Sequence, residues 1–157
     1  MIINAIDPGT KESALVVWDG EAILDKMILP NIDIREYLTS IHVTNKIGKS
    51  GCLVIEMIQN LGMPAVGKDI FETVFWVGRF YEQFPENNAH RVYRIPVKLH
   101  HCHSARAKDA NIRQALIDRF GPPGIKKDPG LTYKLNGHMW QAFALAVYFY
   151  DNLGESS

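Results

Sequence analysis

The sequence predicts an α/β protein with a mixed five-stranded sheet flanked by helices. Three observations lead to this fold class: short apolar runs end in turn residues, amphipathic stretches lie between them, and 46% of the 157 residues are hydrophobic. This supply of apolar residues is ample for one packed core, whereas the length is short for two. We therefore expect a single domain over residues 1–157.

The first part of the chain predicts three antiparallel strands. An apolar run over residues 2–7 ends in Asp7, and Pro8-Gly9-Thr10 after it is a turn. Residues 13–18 and 22–29 are strand-like, with an Asp-Gly hairpin signal between them. The three strands should form a meander, with the first strand ending at an acidic residue.

The remaining elements alternate between helix and strand. Asp33 caps a predicted helix that runs to about residue 44, and a polar linker follows over 46–51. A buried strand over 52–55 then delivers Glu56 at its end. The later elements are a helix from about Asp69, a strand over 91–95 stopped by Pro96, a helix over 107–120, a loop to about residue 136 and a last helix over 138–152.

The helix from about Asp69 is apolar over much of its circumference. This surface suits packing in the core or, alternatively, an interface between subunits. Its apolar stripe consists of Ile70, Val74, Val77 and Tyr81, widened by Phe71, Phe75, Trp76, Phe80 and Phe84.

Hydropathy and cysteine content indicate the compartment. No apolar run reaches the roughly 18 residues of a membrane span, and the opening residues predict a strand and not a leader. Cys52 and Cys102 lie 50 positions apart and suggest no disulfide framework. We expect a cytoplasmic protein in a reducing environment, with neither a membrane nor a nucleotide cofactor as a partner.

Basic residues are concentrated in one stretch although the net charge is zero. Residues 1–96 hold 9 Lys and Arg against 12 Asp and Glu, whereas residues 97–134 hold 8 against 3. The second stretch is a candidate phosphate-binding surface, with solvated surface charge as the alternative. Its basic members are Lys98, Arg106, Lys108, Arg113, Arg119, Lys126, Lys127 and Lys134.

Candidate metal ligands follow two predicted strands and begin the last helix. Asp7 and Glu56 are hard oxygen ligands at strand ends, which suit Mg²⁺ or Mn²⁺. Asp7 before Pro-Gly is also a common turn residue, but Glu56 after three apolar residues is costly to bury unless it is paired, metal-bound or at an open rim. His138 is the third candidate, and it shares a helix face with Gln141. Taken by itself, a histidine at this position is more often a structural or merely exposed residue than a metal ligand.

Four short motifs follow one another along nearly the whole chain. They are Ile6-Asp7-Pro8-Gly9-Thr10, then Val54-Ile55-Glu56, then Val97-Lys98 with Ala105-Arg106-Ala107-Lys108-Asp109, and finally His138-x-x-Gln141-Ala142-x-Ala144-Leu145-Ala146. In their order and spacing these motifs resemble those of RuvC-type Holliday junction resolvases. The resemblance is greatest to the small bacteriophage members, and it implies the ribonuclease H-like (RNase H-like) fold.

The resemblance implies a homodimer that binds four-way DNA junctions and nicks two strands of like polarity. It implies Asp7, Glu56 and His138 as catalytic metal ligands, with two Mg²⁺ or Mn²⁺ ions in each active site. Phosphate contacts would come from Lys98, Arg106, Lys108 and Arg113. If the chain is encoded by a phage, its compartment is the host cytoplasm.

Two positions depart from the family pattern. The last motif usually has two acids, or a histidine and an acid, three positions apart, whereas this chain has His138 and Gln141. An amide oxygen can still coordinate a metal, and Asp128 or Asp109 could supply the missing charge. Gln59 and Asn60 stand where bacterial members carry an aromatic wedge, which leaves Leu61 or Met63 for that role.

Three alternatives stay open at this point. One is a nuclease of the same fold acting on RNA–DNA hybrids or flaps, and another is a junction-binding module without catalysis, which the missing acid favours. The third concerns His100-His101-Cys102-His103, all of which are zinc-ligand types. Adjacent residues rarely converge on one ion, so we expect a polar loop facing DNA there.

Overall fold

A five-stranded sheet forms the centre of the protein in a computed structural model, which describes residues 1–44, 51–59 and 67–153. Its strands are β1 (Ile2–Asp7), β2 (Glu12–Trp18), β3 (Ile23–Pro30), β4 (Gly51–Met57) and β5 (Ala89–Tyr93). They lie in the order β3-β2-β1-β4-β5, with β1, β2 and β3 antiparallel and β4 parallel to both β1 and β5. The predicted mixed sheet and its antiparallel meander are confirmed.

Helices cover both faces of this sheet. In the described residues they are α1 (Asn31–Thr44), α2 (Lys68–Tyr81), α3 (Arg94–Cys102), α4 (Asp109–Phe120) and α5 (Met139–Asn152). Successive residues of a strand point to opposite faces, so Ala5 packs in one core with Leu116 and Phe143, whereas Ile6 packs in another with Leu38 and Phe80. Helices α4 and α5 therefore cover one face, and α1 and α2 cover the other.

Helix α5 is the most deeply buried helix of the described residues. Every residue from Met139 to Val147 is buried, because the helix lies on β1 and β2 and is itself covered by α3 and α4. Among the helices in the described parts of the chain, none is both long and apolar enough to cross a bilayer.

The predicted strand over 91–95 is wrong at both ends. Strand β5 ends at Tyr93, and α3 begins at Arg94, with Pro96 inside its first turn. Proline is tolerated there because the first N–H groups of a helix have no intrahelical partner. The expected polar loop at 100–103 is wrong for the same reason, since His100, His101 and Cys102 form the last turn of α3.

Smaller differences concern other element ends. Helix α1 begins at Asn31, so Asp33 lies in its first turn and is not the cap. Helices α4 and α5 begin two residues and one residue later than predicted. The predicted loop before α5 contains a short hairpin of β6 (Gly124–Ile125) and β7 (Asp128–Pro129).

The buried face of α2 differs from the predicted stripe. Val77 and Phe80 are buried as expected, but Thr73 is buried with them, whereas Val74 is 38% exposed. Phe71 and Phe75 are 66% and 58% exposed, so α2 carries aromatic surface that the sheet does not use. The polar linker over 46–50 and the wedge candidates Leu61 and Met63 lie outside the described residues.

Candidate active site

Asp7 and Glu56 lie side by side at one edge of the sheet. Strands β1 and β4 are parallel neighbours, and Ile6 is in register with Ile55, so the next residue of each strand is a carboxylate. Asp7 is 8% exposed and the Glu56 side chain is 13% exposed. Parallel pairing thus brings together two acids that are far apart in sequence.

Burial makes negative charge costly at this pair. Loss of solvent raises the pKa of Asp7 above its usual value, although His138 and Arg94 oppose that effect. Loss of solvent also raises the pKa of Glu56, and the charge of Asp7 raises it further. The pair therefore requires positive charge nearby when both acids are ionised.

His138 supplies one partner for the pair. It is the residue before α5, and its Nδ1 lies at hydrogen-bond distance, 2.8 Å, from Oδ2 of Asp7. The histidine side chain remains 74% exposed. The start of α5 therefore places an imidazole ring at the strand-end acids, with most of the ring open to solvent.

Gln141 has a different environment, one turn further along α5. It is 5% exposed, and among the hydrogen bonds of the described residues none joins its side chain to Asp7, Glu56 or His138. In the same residues, no group of three or more His, Cys, Asp or Glu side chains is arranged as metal ligands. Coordination by Gln141 stays a prediction.

Arg94 is a member of the site that sequence reasoning missed. Its Nη1 donates to Oε1 of Glu56 at 2.9 Å, and its Nη2 donates to Oδ1 of Asp109. The sequence predicts Arg94 near the end of a strand over 91–95, where its side chain has no predictable partner. Its position follows from the start of α3, and the sequence signal nearest to that start, Pro96, is also typical of a strand end.

A buried polar cluster fixes the turn that follows Asp7. Asn31 Nδ2 donates to the carbonyl of Gly9 at 2.9 Å, and Ser13 Oγ donates to Oδ1 of Asn31 at 2.6 Å. A Cβ at Gly9 would lie 2.4 Å from the carbonyl oxygen of Glu12, so the turn has no room for a side chain. This cluster holds the end of β1, and hence Asp7, in one position.

The predicted phosphate contacts are spread over α3 and α4. Lys98 is partly buried and borders a cleft of about 240 Å³ together with Glu56 and Arg94. Arg106 and Lys108 are exposed at the start of α4, and the guanidinium of Arg113 lies 5.0 Å from the centre of the Trp140 ring. Of these four residues, Lys98 is the one that borders the cleft at Glu56.

The histidines in the last turn of α3 contact α5 and not the candidate site. His100 Nε2 contacts Oδ2 of Asp151 at 2.8 Å, and His101 Nε2 contacts the carbonyl of Ala144 at 2.8 Å. Arg119 also donates two hydrogen bonds to Asp151, at 2.5 and 2.9 Å. These contacts join α3 and α4 to α5, and they hold the rings of His100 and His101 against α5.

Comparison with known proteins gives a structural match and no sequence match. Neither a protein-family model nor a curated protein matches the chain. The solved structure of Thermus thermophilus RuvC matches with a TM-score of 0.64 and 16% identity, over 98% of this chain and 97% of that one. T. thermophilus RuvC in complex with Holliday junction substrate matches with a TM-score of 0.62 and 15% identity, over 98% and 96%.

The chain has the RuvC fold. The match covers nearly all of both chains, so the RNase H-like architecture predicted from the sequence is confirmed. At this level of identity the likeness concerns the fold alone. The roles of individual residues therefore depend on the geometry of this protein's own site.

Proposed function

We propose that this protein is a structure-selective endonuclease that resolves four-way DNA junctions by metal-dependent phosphodiester hydrolysis. The observation that carries the proposal is the pair of carboxylates at adjacent parallel strand ends on a RuvC fold, the buried Asp7 and the partly buried Glu56. One of the matching structures is of RuvC with a Holliday junction substrate. A junction is accordingly the first substrate to test.

The donor set of the site fits a hard divalent cation. Asp7 and Glu56 offer carboxylate oxygens, which Mg²⁺ and Mn²⁺ prefer. Burial raises the pKa values of both acids because it disfavours their ionised forms, so a bound cation would stabilise these forms. We infer that they hold two such ions with His138, and that Gln141 is a weaker fourth ligand. When bound, the metal supplies Lewis-acid charge for attack on the phosphodiester.

The chain's own residues bind and orient the DNA around this pair. A cleft of about 400 Å³ is lined by Asp7, His138 and Lys11, and the cleft of about 240 Å³ is lined by Glu56 and Lys98. A DNA strand therefore has room beside both Asp7 and Glu56. In this proposal Lys98, Arg106, Lys108 and Arg113 contact phosphates of the junction arms. Two copies of the chain supply the two nicks, one from each active site.

A comparison of three labelled substrates tests this function. A four-way junction, an RNA–DNA hybrid duplex and a linear DNA duplex are incubated with the protein and Mg²⁺ or Mn²⁺, and products are resolved on denaturing gels. We expect paired nicks in the junction alone. Preferred cleavage of the hybrid would establish the alternative nuclease, and binding of the junction without cleavage in either metal would establish a non-catalytic module.

Removal of either carboxylate separates cleavage from binding. We expect Asp7→Asn and Glu56→Gln each to reduce junction cleavage by about 10³-fold or more, because each removes a charge that holds metal. Junction affinity should stay within about threefold of the unmodified protein, since phosphate contacts come from other residues. Glu36→Gln, on the exposed side of α1, is the control. Parallel loss of binding and cleavage would contradict the assignment.

A further inference from the structure

Arg94 joins a buried acid to an exposed one. Its guanidinium donates to Glu56, whose side chain is 13% exposed, and to Asp109, whose side chain is 60% exposed. Arg94 itself is 32% exposed and extends from the first turn of α3. One cation therefore contacts a proposed metal ligand through one nitrogen and a solvent-facing carboxylate through the other.

The buried acid requires this cation when no metal is bound. An ionised carboxylate removed from water is costly unless it is paired, and Glu56 also lies beside the charge of Asp7. Within the part of the chain that the structure describes, the ion pair of Glu56 is with Arg94. A guanidinium is always charged, so Arg94 supplies the positive charge that the ionised form of Glu56 needs in this partly buried position.

We propose that Arg94 is a built-in counter-ion that occupies Glu56 in the metal-free protein and shifts to Asp109 when a divalent cation binds. The proposal rests on the proposed function, because it assumes that Glu56 is a metal ligand. It adds a positioning residue that sets metal affinity, and it gives Asp109 the role of acceptor for the displaced guanidinium.

Electrostatics gives the direction of the effect. A guanidinium and a divalent cation at the same carboxylate repel each other, and in a partly buried site this repulsion is weakly screened. The shift to Asp109 requires little movement, because Nη2 already contacts that residue. Movement toward an exposed acid also returns part of the guanidinium to water. Arg94 therefore weakens metal binding, and Asp109 reduces that penalty.

Calorimetric titration of the full chain with MnCl₂, without DNA, tests the proposal. We expect Arg94→Gln to bind Mn²⁺ about tenfold more tightly and Asp109→Asn about threefold more weakly, as a coupling between nearby charges predicts. The double variant should match Arg94→Gln, because Asp109 acts through Arg94. Arg94→Lys, which keeps the charge, should bind within about twofold of the unmodified protein.

Thermal unfolding gives a second readout. In EDTA, Arg94→Gln should unfold at a lower temperature than the unmodified protein because Glu56 loses its partner, and saturating Mn²⁺ should remove most of the difference. Equal or weaker Mn²⁺ binding by Arg94→Gln would overturn the proposal. If Arg94→Gln does not fold, the test is the Mn²⁺ affinity of Asp109→Asn. An affinity equal to that of the unmodified protein would overturn the proposal.

Failure of the proposed function gives a different result. If Arg94→Gln tightens Mn²⁺ binding but no form of the protein cleaves a junction, the counter-ion role stands and the nuclease assignment falls. If Glu56→Gln binds Mn²⁺ as the unmodified protein does, the metal is not at Glu56 and the counter-ion role is overturned.

Discussion

His138 and Gln141 lie one helical turn apart and make unequal candidates for metal ligands. His138 is largely exposed and lies at hydrogen-bond distance from Asp7, whereas Gln141 is buried. We expect His138→Ala to remove most cleavage, because it removes the stronger of the two proposed ligands at the start of α5. We expect Gln141→Asp to lower the metal concentration needed for half-maximal cleavage by about fivefold or more, since it adds negative charge beside the proposed metal site. Cleavage rates across a Mn²⁺ titration measure both.

The double variant His138→Ala with Gln141→Asp controls for a general charge effect. It should recover little activity if the histidine is a ligand. A normal cleavage rate for His138→Ala combined with loss of cleavage in Asp128→Asn would contradict this assignment. Asp128 is exposed in β7, so that result would move the third ligand to the hairpin before α5.

Single residues differ in how much of their position the sequence reveals. That Asp7 and Glu56 lie at strand ends could be predicted because each follows an apolar run, and the parallel pairing of two buried strands brings those ends together. Asn31 and Arg94 could not be predicted. Their roles depend on contacts across 22 and 38 positions, and polar residues at helix starts have many local explanations. Charge and spacing do not specify such contacts.

Element boundaries show the same limit. The run Arg91-Val92-Tyr93-Arg94-Ile95 has strand propensity, and Pro96 disfavours a helical residue before it. The structure nevertheless begins α3 inside this run, and Val97 is buried in the core with α4 and α5. Tertiary burial of one apolar residue thus outweighs a weak local preference. The strands of the sheet centre were predicted well because their apolar runs are short and end in turns.

The end of α5 is joined to α3 and α4 through Asp151. Its carboxylate accepts hydrogen bonds from Arg119 and His100, which lower its pKa although partial burial opposes them. The folded protein therefore binds fewer protons here than the unfolded chain. This contribution is present above the unfolded pKa of about 3.9 and is lost as pH falls through the lower folded value. We expect Asp151→Asn to cost about 1 kcal/mol at pH 7 and less at pH 3, measured by urea unfolding.

Asp118→Asn is the matched control for this prediction. Asp118 is exposed on α4, where it accepts a hydrogen bond from Gln114 of the same helix. Its loss should change the free energy of unfolding by a few tenths of a kcal/mol at most. An Asp151→Asn effect that is the same at both pH values would show that the side chain stabilises by packing and not by charge.

For the whole molecule, zero net charge conceals an uneven distribution. Arg119 is paired with Asp151 and Arg94 with two acids, so these cations are already compensated. The basic residues proposed to contact phosphate are Lys98, which borders the cleft at Glu56, and the exposed Arg106, Lys108 and Arg113 in or just before α4. Such a limited basic surface suits binding of a shaped substrate by two copies better than indiscriminate coating of DNA.

The exposed aromatic face of α2 is the surface on which we expect two copies to associate. Phe71 and Phe75 are 66% and 58% exposed, and large apolar side chains in contact with water favour burial against a partner. Sedimentation velocity at micromolar concentration should give a dimer. The double change Phe71→Asp and Phe75→Asp should raise the dimer dissociation constant by about 100-fold, because it removes apolar anchors and introduces like charges across a twofold axis.

The control is Ile125→Asp, at a residue that is 64% exposed in β6, and this change should leave the dimer intact. If the protein sediments as a monomer both with and without junction DNA, the predicted dimer is wrong. Paired nicks would then require two monomers that bind the junction independently.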